Sequence, residues 1–164
     1  MADTVDYNIA VGGTLSLANK FRAPLYLMKQ VVDIPAVIAA GHAAGKLASA
    51  TKITSGECIG LFNIPAHTVV LAVYTKIVTV GTASATIDIG SPGTETLFDA
   101  AIALDAAAGT TTGSEADAGA MGAALSGSRV DTAYNLMFQS NTDILIGKFV
   151  VMALVLDIDD DTAA

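Results

Sequence analysis

The sequence has one cysteine, two histidines and no tryptophan, and only 15% of its 164 residues are charged. One cysteine excludes an intrachain disulfide and any metal site built on several thiolates. Two histidines exclude sites built on three or more. His42 and His67 lie far apart in sequence, outside any H-x-H or H-E-x-x-H pattern, so no zinc or iron centre and no cofactor are expected. Aromatic residues make up 5% of the chain, which is poor material for the stacking platforms that carbohydrate sites use. The charge is also one-sided: 16 acids against 8 bases give a formal net charge of −8. A nucleic-acid groove binder needs a clustered basic face, and this composition does not supply one. Long apolar runs are missing too. The longest purely apolar stretch, residues 149–156, is far short of the ~20 residues that span a bilayer as a helix, so no membrane partner is expected. Asp3 and Asp6 stand where a signal peptide would carry bases, and the expectation is synthesis in a reducing cytoplasm, followed either by use there or by assembly there into a larger particle.

What is present is apolar and β-prone. Hydrophobic residues make up 52% of the chain and mean hydropathy is +0.58, far from the composition of a disordered protein. The length suits about one domain. Strand patterns cover residues 25–34, stopped by Pro35, then 57–64, which end in the turn Pro65-Ala66-His67. Residues 68–80 are rich in Val, Thr, Ile and Tyr and read as one long strand. In residues 85–89, Ala85, Ile87 and Ile89 alternate with Thr86 and Asp88. The four residues 81–84 are expected to join these last two strands as a hairpin. Ser91-Pro92-Gly93 signals a turn. Tyr134, Leu136 and Phe138 alternate with Asn135, Met137 and Gln139. After a turn at residues 140–142, a last strand over 143–157, bent near Gly147, would complete a second hairpin. Residues 35–50 suit either a short helix, with Pro35 in its first turn, or an irregular loop. For residues 97–107 a helix, a turn and a strand compete. Gly41 and Gly45 match a G-x-x-x-G spacing, read as a tight turn or small-residue packing.

These patterns imply an all-β antiparallel sandwich with at most one short helix. Residues 1–22 have little core-forming pattern and read as an N-terminal arm. The sandwich is placed at 23–158 and an acidic tail at 159–164. Within the sandwich, residues 105–129 are almost entirely Ala, Gly, Ser and Thr with a few acids, the composition of a long surface loop.

Catalytic patterns are lacking. Cys58 sits in a strand pattern with Phe62 and Ile64 and reads as a buried, inert thiol. There is no G-x-S-x-G nucleophile elbow and no phosphate-cradling Gly loop. Asp88, Glu95 and Asp99 flank the turn at Ser91-Pro92-Gly93 and could lend oxygens to a calcium ion, though without the spacing of a calcium loop; solvated turn acids are the simpler reading. A glycosidase needs only two suitably spaced carboxylates, but no such pair is identifiable. The expectation is a protein that is not an enzyme.

Two strands are apolar on both faces. In residues 68–80, Val69, Leu71, Val73 and Ile77 fall on one face and Val70, Ala72, Tyr74, Val78 and Val80 on the other. In 149–156 every side chain is apolar. An antiparallel strand with one wet face should alternate, so both faces are expected to be covered. The cover could be residues 35–50, the long loop or another subunit. For an oligomer interface the candidates are Val69, Leu71, Val73, Tyr74, Val151 and Leu154.

The run Ile64-Pro65-Ala66-His67-Thr68-Val69-Val70 resembles the apolar-Pro-Ala-Gly-Thr opening of a central strand in small structural proteins of tailed bacteriophages. The following Ala85-Thr-Ile-Asp-Ile-Gly90 and Thr96-Leu-Phe-Asp-Ala100 are similar to a further segment of those proteins, and Val151-Met-Ala-Leu-Val-Leu-Asp157 to their last strand. The resemblance covers residues 56–158 and departs from the pattern at His67, where Gly is common, and at Ser91-Pro92, where acids are common. It implies a jelly-roll sandwich, a homotrimer and a head decoration (cement) role. The major capsid protein would be the partner and the capsid surface of the virion the location. A tail- or fibre-associated virion sandwich and a carbohydrate-binding module are the alternatives.

Overall fold

The computed structural model describes residues 25–66, 68–113 and 133–157. The arm at 1–22, His67, the greater part of the 105–129 segment and the acidic tail lie outside these residues. Among the described residues, eight strands and one helix follow in the order β1 (Leu25–Asp33), α1 (Ile34–Ala43), β2 (Cys58–Ile64), β3 (Thr68–Thr79), β4 (Thr86–Ser91), β5 (Thr94–Ala103), β6 (Thr111–Gly113), β7 (Tyr134–Ser140) and β8 (Lys148–Asp157). They form two antiparallel four-stranded sheets, ordered β1-β8-β3-β6 and β2-β7-β4-β5.

The strand order has a simple origin. Strand 1 pairs with 8, 2 with 7, 3 with 6 and 4 with 5. One long hairpin with its tip between β4 and β5, rolled up on itself, gives this set of neighbours. It is the jelly roll, two Greek keys closed face to face. The tip is the turn Ser91-Pro92-Gly93-Thr94, with Ser91 paired to Thr94. Pro92 supplies the fixed φ of the first central position, and Gly93 takes φ +83° at the second, which a side chain resists.

Rolling changes the meaning of two turns. β3 and β4 lie in different sheets, as do β7 and β8, so the connections at 80–85 and 141–147 are arches across the sandwich and not hairpins. The arches bind each other. Thr82 N–H donates to Ile146 O at 3.1 Å, and Leu145 N–H donates to Thr82 Oγ1 at 2.9 Å. Gly147 (φ +134°) lies so close that a Cβ there would stand 2.9 Å from Gly81 Cα. The last strand therefore begins at Lys148. Residues 143–147 belong to the arch, joined to the preceding chain by an Ile53–Ile144 bridge.

Residues 35–50 resolve into a helix followed by a turn-rich stretch. Pro35 stands in the first turn of α1, where its missing N–H costs nothing. Gly45, at φ +68°, follows the C-cap Ala44 and ends the helix. Gly41 has Leu47 packed on it, leaving no room for a Cβ. Residues 97–103 belong to β5. Within the segment read as a long loop, Thr111–Gly113 pairs with β3 as an edge strand.

The core lies between the sheets. Phe138 on β7 and Phe149 on β8 meet edge to face across it, with centroids 5.5 Å apart. Ile59, Ile64, Ile77, Ile87, Ile89 and Leu136 fill the layer around them.

Candidate interaction surface

The two sheets differ on their outer faces. The outer side of β2-β7-β4-β5 is bound by polar side chains. Asp88 Oδ1 accepts from Ala101 N–H at 2.7 Å and from Asn141 Nδ2 at 2.8 Å. Asp88 is buried there, and its bond holds Ala101 at φ +55°. Gln139 Nε2 donates to Cys58 Sγ at 3.7 Å, and the thiol donates to Gly56 O at 3.8 Å.

The outer side of β1-β8-β3-β6 is apolar by contrast. In the register, Leu27 stands beside Leu154 and Ala72. Lys29 stands beside Met152 and Tyr74, and Val31 beside Val150 and Lys76. Val69 continues the face beside Leu156. Leu27, Val31 and Val78 are exposed; Val69, Leu71, Tyr74, Met152, Leu154 and Leu156 are half-buried. Two lysines, Lys29 and Lys76, interrupt the surface, and the Lys148–Asp33 ion pair (3.2 Å) borders it. Tyr74 lies across Gly113 on β6, so closely that a Cβ on Gly113 would strike its ring. The glycine makes room for the aromatic ring on this face.

Two bulges decide which side chains reach each surface. A register shift between Val70 and Ala72 reverses the alternation of β3. Upstream of it Val70 points inward; downstream Val73, Thr75 and Ile77 do. The single face predicted for Val69, Leu71, Val73 and Ile77 is therefore split. Of the six candidate interface residues, the structure places Val69, Leu71, Tyr74 and Leu154 on the outer side. It places Val73 (1% exposed) and Val151 (0%) between the sheets. The second shift, between Gly60 and Phe62, does the same to β2. Cys58 is thereby turned to the polar outer face, half-buried and opposite Gln139, instead of joining Phe62 and Ile64 in the core. Partial burial pushes its thiol pKa up.

The acids of the β4–β5 turn are not brought together. Asp88 is committed to Ala101 and Asn141, Glu95 Oε1 accepts from Gly93 N–H at 3.2 Å, and Asp99 Oδ1 accepts from Ala100 N–H at 3.0 Å. Among the described residues no group of three or more His, Cys, Asp or Glu could hold a metal ion, and no helix is long and apolar enough to cross a membrane.

No protein-family model matches the chain, and no curated protein sequence matches it. Among solved structures, the chain is similar to one described as the cyanophage Pam1 capsid asymmetric unit, with 12% identity, a TM-score of 0.48, and coverage of 80% of this chain and 82% of the other. It is similar to a chain of the capsid of Ralstonia phage GP4 at 12% identity and a TM-score of 0.48, over 80% of this chain and 84% of that one.

Proposed function

We propose that this protein is a structural component of a phage virion that decorates the icosahedral head. It would associate with copies of itself through the outer face of β1-β8-β3-β6 and bridge neighbouring major capsid subunits. The observation that carries an assembly role is the asymmetry of the sandwich: one outer face is polar and internally bonded, the other presents Leu27, Val31, Val69, Leu71, Met152 and Leu154. A sandwich that works alone keeps both outer faces polar, and a contiguous apolar face marks a contact with another macromolecule. The sequence resemblance over residues 56–158 supports the phage-head setting and favours a trimer. Such a protein acts by burying surface and needs no active site. Four of the interface candidates, Val69, Leu71, Tyr74 and Leu154, fit this role.

Absolute mass by light scattering tests the self-association. The expected value is near three times the 16.6 kDa of one chain. Particles from cells lacking the protein test the role itself. They should assemble but break at lower internal pressure, and the protein should be present on purified wild-type heads. Absence from purified virions would overturn the proposal.

A further inference from the structure

Among the described residues, the edges of the two sheets are not alike. β2 carries a bulge, β5 pairs with β4 across two register shifts, and β6 has only three residues. β1 is nine residues long and pairs with β8 in one unbroken register. Sheet edges are normally blunted by short length, bulges, prolines or charges, because an open ladder recruits another strand. β1 contains no proline, and Lys29 and Asp33 are its only charges. On its inner side, Gln30 Oε1 is buried and accepts no hydrogen bond among the described residues. A buried acceptor without a donor costs free energy, so a strand that supplied one at this edge would bind the better for it.

The register fixes where the free backbone groups point. Ile34 N–H donates to Gly147 O at 3.0 Å, which continues the β1–β8 register by one pair while Asp33 is still extended. Backbone groups alternate in direction along a strand. Met28, Gln30 and Val32 therefore bond to β8, and Leu27, Lys29 and Val31 point their N–H and C=O away from it. A second copy of β1 running antiparallel meets these groups only when odd-numbered residues face odd-numbered ones. A two-fold axis at Lys29 would set two ammonium groups opposite each other, which is repulsive. An axis at Val31 would pair residues 29–33 alone, because α1 begins at Ile34, and would set Gln30 opposite Val32. An axis at Gln30 pairs residues 27–33 of both copies and sets Gln30 opposite Gln30. It also places Lys29 diagonal to Asp33 of the second copy, within reach of a long side chain.

We infer that β1 pairs antiparallel with β1 of a second copy of this chain, about a two-fold axis at Gln30. Lys29 and Val31 exchange backbone hydrogen bonds with Val31 and Lys29 of the second copy. Between them the two Gln30 side chains stand face to face. A primary amide is both donor and acceptor, so each Nε2 donates to the Oε1 of the other and the stranded acceptor is satisfied in both copies. The axis runs perpendicular to the sheet, so the apolar outer faces of the two copies join into one surface. One strand pair is small beside the ~1,600 Å² of a standard interface, so this contact forms as the protein is concentrated and links assemblies already made through the outer face. The pairing does not depend on whether the protein sits on a capsid.

Residue-resolved amide exchange of the full chain provides the test, with Val31→Pro as the comparison. The Val31 N–H points away from β8, so this proline removes a donor of the free edge, spares the β1–β8 ladder and should leave the fold intact by circular dichroism. In the parent protein the Lys29 and Val31 amides should exchange at least tenfold more slowly in concentrated than in dilute solution, while β8 amides stay unchanged. In Val31→Pro the Lys29 amide should exchange equally fast at both concentrations. Parent amides that are protected at every concentration would mean that the chain covers its own edge. Parent amides that exchange fast at every concentration would mean that the edge stays in water. Either result overturns the inference. Leu154→Asp, aimed at the outer face, should keep the concentration dependence, so the two contacts fail separately. A second test uses Gln30→Cys in a Cys58→Ser background, oxidised under mild conditions. Opposed Cα atoms at such a position lie about 4.5 Å apart, inside the roughly 4.4–6.8 Å that a disulfide spans. A covalent dimer of twice 16.6 kDa supports the pairing. No dimer, or a dimer formed as readily by Thr111→Cys on the opposite edge, overturns it. If Val31→Pro fails to fold, the parent's exchange and the cross-link decide.

Discussion

Single side chains hold this fold at points where the backbone departs from regular geometry. Ala101, at φ +55°, occupies a conformation that costs an L-residue ~1–2 kcal/mol. Its amide is held by the buried Asp88 carboxylate, which also orders Asn141. Removing that carboxylate with Asp88→Ala strands two donors and should destabilise by about 2–4 kcal/mol in denaturant unfolding, with Asp88→Asn keeping part of the loss. Ala101→Gly should be neutral or slightly stabilising, since relief of strain offsets the added chain entropy, while Ala101→Val should be clearly worse. Titration gives a second handle. Burial pushes the Tyr134 phenol up to about 12 from an ordinary 10.0. The folded state therefore prefers the neutral phenol. Its contribution to stability is complete below pH 10 and is lost as pH rises toward 12. Absorbance titration should show one of the four tyrosines ionising near 12, or ionising together with unfolding. Asp143 behaves in the opposite sense. The Lys52 ammonium, bonded to it at 2.5 Å, and the Ser55 amide hold its carboxyl below the ordinary 3.8. Stability from this group is present above pH 3.8 and lost as pH falls below it. In Lys52→Ala the Asp143 carbon resonance should titrate closer to the ordinary value.

At the level of elements, the existence of most strands was legible in the sequence and their connections were not. Residues 68–79 and 148–157 announce themselves through β-branched density, and the tip turn through Pro92-Gly93. Arches and hairpins, however, use the same short, polar, Gly-containing connections. The four residues 81–84 cannot reveal that β4 leaves for the other sheet, because that choice is made by pairing partners far away in sequence. Bulges hide for a similar reason. Nothing local to Val70, Leu71 and Ala72 marks the extra residue that turns Val73 inward. Of the six residues named as interface candidates, this leaves Val69, Leu71, Tyr74 and Leu154 on the outer side of the sheet and turns Val73 and Val151 to the core. Glycine 147 was readable as a bend, but its close approach to Gly81 was not. Gly147→Ala would place a Cβ against that backbone and remove a residue from a conformation that favours glycine. It should cost about 2–4 kcal/mol, seen as a fall in the denaturation midpoint with an unchanged slope, because both arches must separate to accommodate it.

At the scale of the molecule, the described residues form a sandwich whose two outer faces differ in chemistry, and what the apolar face does can be tested with one strand. Along β8, side chains alternate between the core and the apolar outer face: Val151 is fully buried between the sheets, and Leu154, three residues on, lies half-buried outside beside Leu27 and Ala72. Placing a carboxylate at each position asks different questions. Val151→Asp buries a charge without a cationic partner between the sheets, in register with Gln30 and Thr75, and should prevent folding or cost more than about 4 kcal/mol. Leu154→Asp meets water in a separated chain and so should leave the fold intact by circular dichroism. In an assembly it would place like charges within a shared apolar contact, so the mass by light scattering should fall to that of one chain. Leu154→Met, which keeps volume and polarity, should leave the assembly unchanged. A Leu154→Asp protein that is folded and still associated would move the self-contact off this face. The apolar surface would then remain for the capsid partner alone, and binding of the variant to purified heads would be lost while its mass in solution stayed the same.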